Sequence, residues 1–264
     1  MESSNNSRLD VEMTARGLAR SRERAQQLIK NGFVTADGAV IKKPSFPVTG
    51  NTVIEVTGSD CEYVSRGGLK LEKALEVFAC DSKGLVCADI GASTGGFTDV
   101  LLKNGAAHVY AVDVGTMQLA DELRNDSRVT VMENTNARTL TREMLGERPQ
   151  LAVMDVSFIS VKLILPALTE LVGKEGRIIS LIKPQFEAGR RNIGKNGIVS
   201  DKKVHAEVLK GVRDFVEQLG FHVNRLTTSP IKGGDGNREF LFDISADGQS
   251  ITDADISEEI NGKK

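Results

Sequence analysis

The 264-residue sequence predicts an α/β protein in which an open, largely parallel sheet is covered by helices on both faces and preceded by a small α+β unit. Three observations predict it. From residue 85 to residue 219 short apolar runs alternate with segments of helical period, the pattern of strands buried on both faces. One run, Leu85-Val-Cys-Ala88, opens through Asp89-Ile-Gly91-Ala-Ser93-Thr-Gly95-Gly96-Phe97 into the helix-like Thr98-Asp-Val-Leu-Leu-Lys103. Open sheets present backbone N–H groups to a nucleotide at such a strand end. Before residue 58 the pattern changes to two short helical stretches rich in arginine, followed by a hairpin signal.

Taken in order, residues 1–7 are polar and are expected to be a disordered start, without the basic beginning and apolar core of a signal peptide. Residues 8–58 form the small unit. Leu18, Ala25, Leu28 and Ile29 fall on a helical period, and Ser21 is placed to cap the helix that begins at Arg22. Residues 32–41 read as a hairpin about Asp37-Gly38, and residues 52–56 add a strand. Residues 59–65 are expected to be a linker, and 66–78 a helix burying Leu69, Ala74, Leu75 and Phe78. The large domain, 66–246, has strands expected near 85–90, 109–113, 129–132, 151–155 and 178–182, with helices near 96–104, 117–124, 160–172 and 202–219. It closes with an antiparallel pair, 221–228 and 239–244. Residues 247–264, with five acids against two lysines, are expected to be an acidic tail.

The glycine loop discriminates among ligands. A dinucleotide fingerprint needs glycine where Ser93 stands, so that the backbone can approach a pyrophosphate. Instead Asp89 opens an acidic-x-Gly-x-x-x-Gly pattern that suits a cationic nucleotide without phosphate, such as S-adenosylmethionine, with Gly91, Ser93, Gly95, Gly96 and Phe97 around it. The strand at 108–113 ends in Asp113, where a carboxylate can chelate a ribose diol. The loop alone also reads as a tight turn without ligand; the two carboxylates at matched strand ends favour the nucleotide. Chemistry belongs beyond the other strand ends as well. Strand four ends in Asp155, which borders cofactor and acceptor alike, and strand five in Lys183; Lys70 precedes the first strand and Glu239 begins the last. Singly these are a helix cap, surface lysines and an edge glutamate; jointly they form a Lys-Asp-Lys-Glu set.

Five alternating strands that close on a hairpin are similar to the seven-stranded methyltransferase fold. Within it Lys70, Asp155, Lys183 and Glu239 resemble, in chain order, spacing and local sequence, the catalytic set of FtsJ-type ribose 2′-O-methyltransferases. Asp155-Val-Ser-Phe158 is not the Asp/Asn-Pro-Pro-aromatic motif of enzymes that methylate base amino groups, and Cys61, Cys80 and Cys87 do not stand where a cytosine-C5 enzyme needs its nucleophile. A hydroxyl acceptor fits better. The resemblance makes Lys183 the candidate base: burial, a nearby sulfonium and Lys70 favour loss of its proton, and Asp155 opposes it. Lys183 therefore either takes the hydroxyl proton or orients the hydroxyl and accepts the proton late.

Residues 8–58 resemble an S4 RNA-binding domain through Arg8, Leu9, Asp10, Ser21, Arg22, Ala25, Leu28, Ile29, Gly32, Val34 and Gly38. That resemblance implies RNA contacts by Arg8, Arg20, Arg22, Arg24 and Lys30, which otherwise read as a solvated face. Residues 186–200, glycine-rich and bearing Arg190 and Arg191, read as a long mobile loop or as a segment that closes over RNA phosphates. Together, residues 8–244 resemble the TlyA family, also labelled hemolysin A, which implies a ribosomal RNA cytidine 2′-O-methyltransferase acting on ribosomal subunits. The linker departs from the family: Cys61-Glu-Tyr-Val-Ser-Arg66 lacks the Arg-x-Trp-Val segment of the mycobacterial branch.

Composition narrows the alternatives. Three cysteines without a Cys-x-x-Cys pair argue against a disulfide framework and a structural zinc site, and place the chain in a reducing cytoplasm, with no metal expected. No apolar run approaches the roughly 18 residues that span a bilayer. The net charge of −2 hides segregation, since residues 14–32 hold Arg16, Arg20, Arg22, Arg24 and Lys30 against the single acid Glu23. Two rivals to the enzyme stand: an RNA-binding assembly factor with a vestigial cofactor site, and a membrane-lytic protein, which would need an amphipathic or spanning segment the sequence lacks.

Overall fold

The computed structural model describes residues 7–19, 21–57, 62–194, 196–234 and 236–262, and the chain divides into two compact units, residues 1–62 and 63–264. Residues 1–6 of the expected disordered start, Arg20, and Gly58 with residues 59–61 of the expected linker lie outside the described residues. In the first unit β1 (Ser7–Arg8) runs into α1 (Leu9–Ala15), followed by α2 (Arg22–Lys30), β2 (Val34–Ala36), β3 (Ala39–Val40), β4 (Pro47–Val48) and β5 (Ile54–Val56). Ser21 is extended, and its hydroxyl accepts from the Arg24 N–H at 3.2 Å, the expected cap. Asp37 and Gly38 both take positive φ, +50° and +79°, which turns β2 back on β3 with the twist a two-residue hairpin needs. Leu9, Met13, Ala25, Leu28, Ile29 and Val34 make the core.

The second unit holds α3 (Gly68–Val77), β6 (Val86–Ile90), α4 (Gly96–Lys103), β7 (His108–Val112), α5 (Asp121–Arg124), β8 (Val129–Met132), β9 (Leu151–Met154) and α6 (Leu165–Val172). It continues with β10 (Arg177–Ile182), α7 (Pro184–Glu187), α8 (Lys202–Gln218), β11 (His222–Thr228), β12 (Phe240–Ser245) and α9 (Asp253–Asn261). Seven strands lie in the order β11-β12-β10-β9-β6-β7-β8. Strands β6 to β10 are parallel, and β12 inserts antiparallel between β10 and β11. The chain leaves β6 toward β7 on one side and returns to β9 on the other, so the crevice for a ligand opens between the ends of β6 and β9. Register brings the site together: Ile90 pairs with Met154, Met154 with Ser180, and Ile182 with Phe240, so the residues that follow or precede them share one rim. Every residue of β6 and β9 is buried, as their unbroken apolar runs require.

Three expectations are corrected. The helix expected at 117–124 begins only at Asp121, because the Glu133 carboxylate takes the N–H groups of Met117 and Gln118, at 2.9 and 3.1 Å, and holds that stretch open. The helix expected at 160–172 is split: a 3₁₀ turn at Val161–Leu163 precedes α6, where the Glu187 carboxylate takes the Val161 N–H and Pro166 sits in the first turn. The acidic stretch 247–264 is not merely a tail after a domain ending at 246. It carries α9, capped by Thr252 and Asp255, with Ile256 and Ile260 inside the sheet's core cluster. No helix among the described residues is long and apolar enough to cross a membrane, and no group of three or more His, Cys, Asp or Glu among them could hold a metal ion.

Candidate active site

The glycine loop turns sharply between β6 and α4. Gly91 has φ +83°, and a Cβ there would lie 2.5 Å from the Asp155 carbonyl oxygen, so only glycine lets the ends of β6 and β9 approach this closely. Gly95, at φ +95°, is the residue before α4, and a side chain there would collide with Leu119 and Leu123. Gly96 packs against the start of α3, where a Cβ would meet Ser65 and come within 3.0 Å of the Gly68 N–H nitrogen. Ser93, the one non-glycine of the turn with positive φ (+49°), donates its N–H to Asp113 at 2.8 Å, and Gly115 donates to the other oxygen at 2.7 Å. Asp113 thus braces the loop from the end of β7, with acceptor capacity left on both oxygens. A cleft of about 190 Å³ lies here, lined by Ser65, Gly67, Gly91, Ala92, Ser93, Thr94, Gly96, Phe97, Asp155, Ser157 and Lys183.

Asp89 lies beneath this turn, fully buried. Its Oδ2 accepts from the Thr98 hydroxyl at 2.7 Å, while its buried Oδ1 has no hydrogen-bond partner among the described residues. Burial pushes its carboxyl up to about 7 despite the Thr98 bond. An unsatisfied acceptor under a glycine cradle calls for a donor or a cation from a ligand.

The four residues separated in sequence converge at the rim. Lys70 Nζ, from α3, lies 3.3 Å from Asp155 Oδ2 and 2.7 Å from Glu239 Oε2, and Lys183 Nζ lies 2.5 Å from Asp155 Oδ1. Lys183 also donates to the Ser157 hydroxyl at 2.8 Å. Burial opposes the charge of Lys70, but the carboxylates of Asp155 and Glu239 hold its ammonium above the ordinary lysine value. Likewise burial would push Asp155 up, and the two lysines hold it below the ordinary carboxylate range. The set is two cations and two anions, each with a partner, which is what makes so much buried charge tolerable.

Sequence reasoning missed Ser65, Gly67, Ala92, Thr94, Ser157 and Phe158. The doubled glycine Gly67-Gly68 was a signal of close approach: a Cβ at Gly68 would lie 2.6 Å from the Tyr63 ring. Phe158 had no such signal. It is 92% exposed, takes φ +64°, which is costly for an aromatic residue, and meets the Phe186 ring at 5.2 Å between centroids. Lys183 Nζ lies 5.9 Å from that same Phe186 ring.

The residues proposed for RNA fall into two groups. In the first unit Arg8 and Arg22 are exposed yet tied to the buried Asp10, at 2.9 and 3.0 Å, with Gln26 donating to the same carboxylate at 2.7 Å. The Arg8 bond above all holds the Asp10 carboxyl well below the usual carboxylate range. Arg24 is half-buried, and Lys30 is exposed at the end of α2. In the second unit Arg190 and Arg191 are exposed on a 3₁₀ turn, Arg190–Asn192, after α7, so the start of the 186–200 segment is folded.

Comparison with known proteins joins these observations. The FtsJ-like methyltransferase family matches residues 63–244, and the S4 domain family matches residues 7–54. YqxC of Bacillus subtilis is 48% identical over 253 residues, covering 96% of this chain and 90% of that protein. The 16S/23S rRNA (cytidine-2′-O)-methyltransferase TlyA of Mycobacterium tuberculosis is 48% identical over 236 residues, covering 89% and 88%. A solved hemolysin-named structure from Streptococcus thermophilus superposes with a TM-score of 0.79 at 45% identity, covering 97% of this chain and 94% of that one. With a seven-stranded sheet, a glycine-cradled strand end and an S4 unit ahead of them, the chain belongs to the TlyA family, in which an S4 domain is joined to an FtsJ-like methyltransferase domain.

Proposed function

We propose that this protein transfers a methyl group from S-adenosylmethionine to a ribose 2′-hydroxyl of ribosomal RNA, a cytidine's by likeness to TlyA, acting on ribosomal subunits in the cytoplasm. The observation that carries the reading is the ion-paired chain Glu239–Lys70–Asp155–Lys183, whose Asp155 and Lys183 line the cleft bounded by Gly91, Ser93 and Gly96. The Asp89 Oδ1, which has no hydrogen-bond partner among the described residues, and the side-chain-free cradle of Gly91 and Gly95 fit a cationic nucleotide, and Asp113 offers acceptors for its ribose. At about 190 Å³ the cleft is below the roughly 300 Å³ of a full small-molecule pocket, so it encloses only part of such a ligand.

When bound, the sulfonium supplies a methyl group already activated for attack. The protein's own contribution is alignment and one proton transfer. Lys183, beside Asp155 at the cleft, would orient the acceptor hydroxyl and, as the neutral amine, accept the proton that the hydroxyl gives up on methylation. Asp155 holds Lys183 and Lys70 together, and Glu239 secures Lys70 from behind. Phe158, paired with Phe186 beside Lys183, offers a ring face on which the base of the acceptor nucleotide can stack. Arg8, Arg20, Arg22, Arg24 and Lys30 in the S4 unit, and Arg190 and Arg191 in the second unit, supply phosphate contacts.

The reading is tested by tritiated methyl transfer to undermethylated ribosomal subunits followed by nucleoside analysis. The expected product is 2′-O-methylcytidine. Base-methylated nucleosides, or no incorporation with any subunit, would refute it.

A further inference from the structure

Residues 237–239 form a junction whose three side chains reach three different elements. Asn237, fully buried, accepts from the Val199 N–H at 2.9 Å and donates to the Gly197 carbonyl at 2.9 Å, tying down the segment that follows α7. Glu239 reaches Lys70 on α3. Between them Arg238 donates to the carbonyls of Ile260 at 2.5 Å and Glu259 at 2.8 Å, and to the Thr228 hydroxyl at 2.8 Å, with its guanidinium 5.0 Å from the centre of the Phe240 ring.

Those two carbonyls belong to the last turn of α9. Carbonyls at a helix C-terminus lack intrahelical donors and carry the negative end of the helix dipole, so a guanidinium satisfies both at once. The helix is itself firmly placed. Ile256 and Ile260 are buried in the core, Arg213 and Lys210 pair with Asp253 at 2.8 and 2.7 Å, and the Glu259 carboxylate accepts from the Thr228 N–H at 2.7 Å. It also lies beyond residue 244, where the match to the FtsJ-like family ends, so the match does not account for it.

We propose that Arg238, seated on the C-terminal carbonyls of α9, is a positioning residue that holds the Glu239 carboxylate against Lys70 and thereby fixes the Lys70–Asp155 pair. The C-terminal helix is then part of the active-site scaffold. Glu239 is at the end of a strand, next to a long loop, and has no other charged partner among the described residues. A shift of about 1 Å at such a group is enough to cost on the order of 100-fold in rate.

The proposal rests on the methyl-transfer reading for its kinetic arm but not for its spectroscopic one. In the full-length protein, Arg238→Ala should let the Lys70 ammonium titrate at lower pH, read from its ¹⁵Nζ resonance, because Glu239 no longer holds it. With active wild type, kcat should fall about 10-fold or more while S-adenosylmethionine affinity stays within about 3-fold, and Arg238→Lys should recover part of the loss. In a Glu239→Gln background the same Arg238→Ala change should cost less than about 2-fold, since the group through which it acts is already altered. An unchanged Lys70 titration in Arg238→Ala, or an equal loss of kcat in both backgrounds, would overturn the proposal. A shifted titration in a protein whose wild type transfers no methyl group would support it and overturn the methyl-transfer reading alone. If Arg238→Ala does not fold, Arg238→Gln carries both arms with the same criteria.

Discussion

Asp89 shows at the residue scale how a ligand site is maintained against stability. Its carboxyl, pushed up to about 7 by burial, holds a proton in the folded protein over a range where the unfolded chain has lost it. Stability therefore falls as pH rises from the ordinary carboxylate range through about 7, and the full cost, at most about 4 kcal/mol, is present above that. Asp89→Asn should accordingly gain melting temperature on the wild type as pH rises from 4 to 8; parallel melting curves would contradict the assignment. A cationic ligand should offset the same cost, so cofactor affinity should rise with pH over this window. Phe158 makes a second prediction. Its exposed ring, on a backbone held at positive φ, should be worth about 1–3 kcal/mol of base stacking, so Phe158→Ala should lower kcat/KM for RNA about tenfold or more without changing cofactor affinity. Unchanged RNA kinetics would return Phe158 to the status of a strained loop residue. The two residues also differ in how far the sequence reveals them. Asp89, Gly91 and Gly95 are legible because a tight turn at a strand end constrains residue type at fixed spacing. Phe158 and Ser157 matter only through what β10 and α7 bring beside them, and no local pattern encodes that.

Among the elements, α2 departs furthest from its appearance in sequence. Its arginines look like one basic face there, yet Arg22 is bound to Asp10, which is buried at the base of α1 and also takes Arg8 and Gln26. Arg22 thus holds the fold together as well as presenting charge, and a combined change at Arg20, Arg22 and Arg24 is not the neutral surface variant an exposed basic face would imply. Arg22→Ala should cost about 1–2 kcal/mol of stability as well as RNA affinity, whereas Lys30→Ala should weaken RNA binding with an unchanged melting temperature. Indistinguishable melting of the two variants would sink this distinction. The central strands β6, β9 and β10 were legible because each is a largely apolar run flanked by turn residues. The short α5 was overextended because Glu133, distant in sequence, takes the N–H groups of residues 117 and 118. In α9 the five acids of the tail masked Ile256 and Ile260, a four-residue spacing that is the whole apolar signal of that helix.

For the molecule as a whole, the division into two units predicts a division of labour. The second unit contains the glycine cradle, Asp113 and the Lys-Asp-Lys-Glu set within its own core, so residues 63–264 alone should bind S-adenosylmethionine with near wild-type affinity. Removal of residues 1–62 should weaken RNA binding and flatten its salt dependence, by about 0.9 in the slope of log K against log salt for each phosphate that the first unit neutralises, taking the duplex DNA value. An unchanged salt slope would move RNA recognition to the Arg190–Arg191 segment. The central claim is that Asp155, Lys183 and Glu239, brought level by the register of β9, β10 and β12, together with Lys70 from α3, serve the acceptor rather than the cofactor. It is tested most directly by measuring methyl transfer to undermethylated subunits and S-adenosylmethionine affinity side by side for Lys183→Ala. The account predicts that transfer is abolished while cofactor affinity stays within a few-fold of wild type; transfer that persists, or cofactor binding that is lost together with it, would contradict the assignment of Lys183 to the hydroxyl.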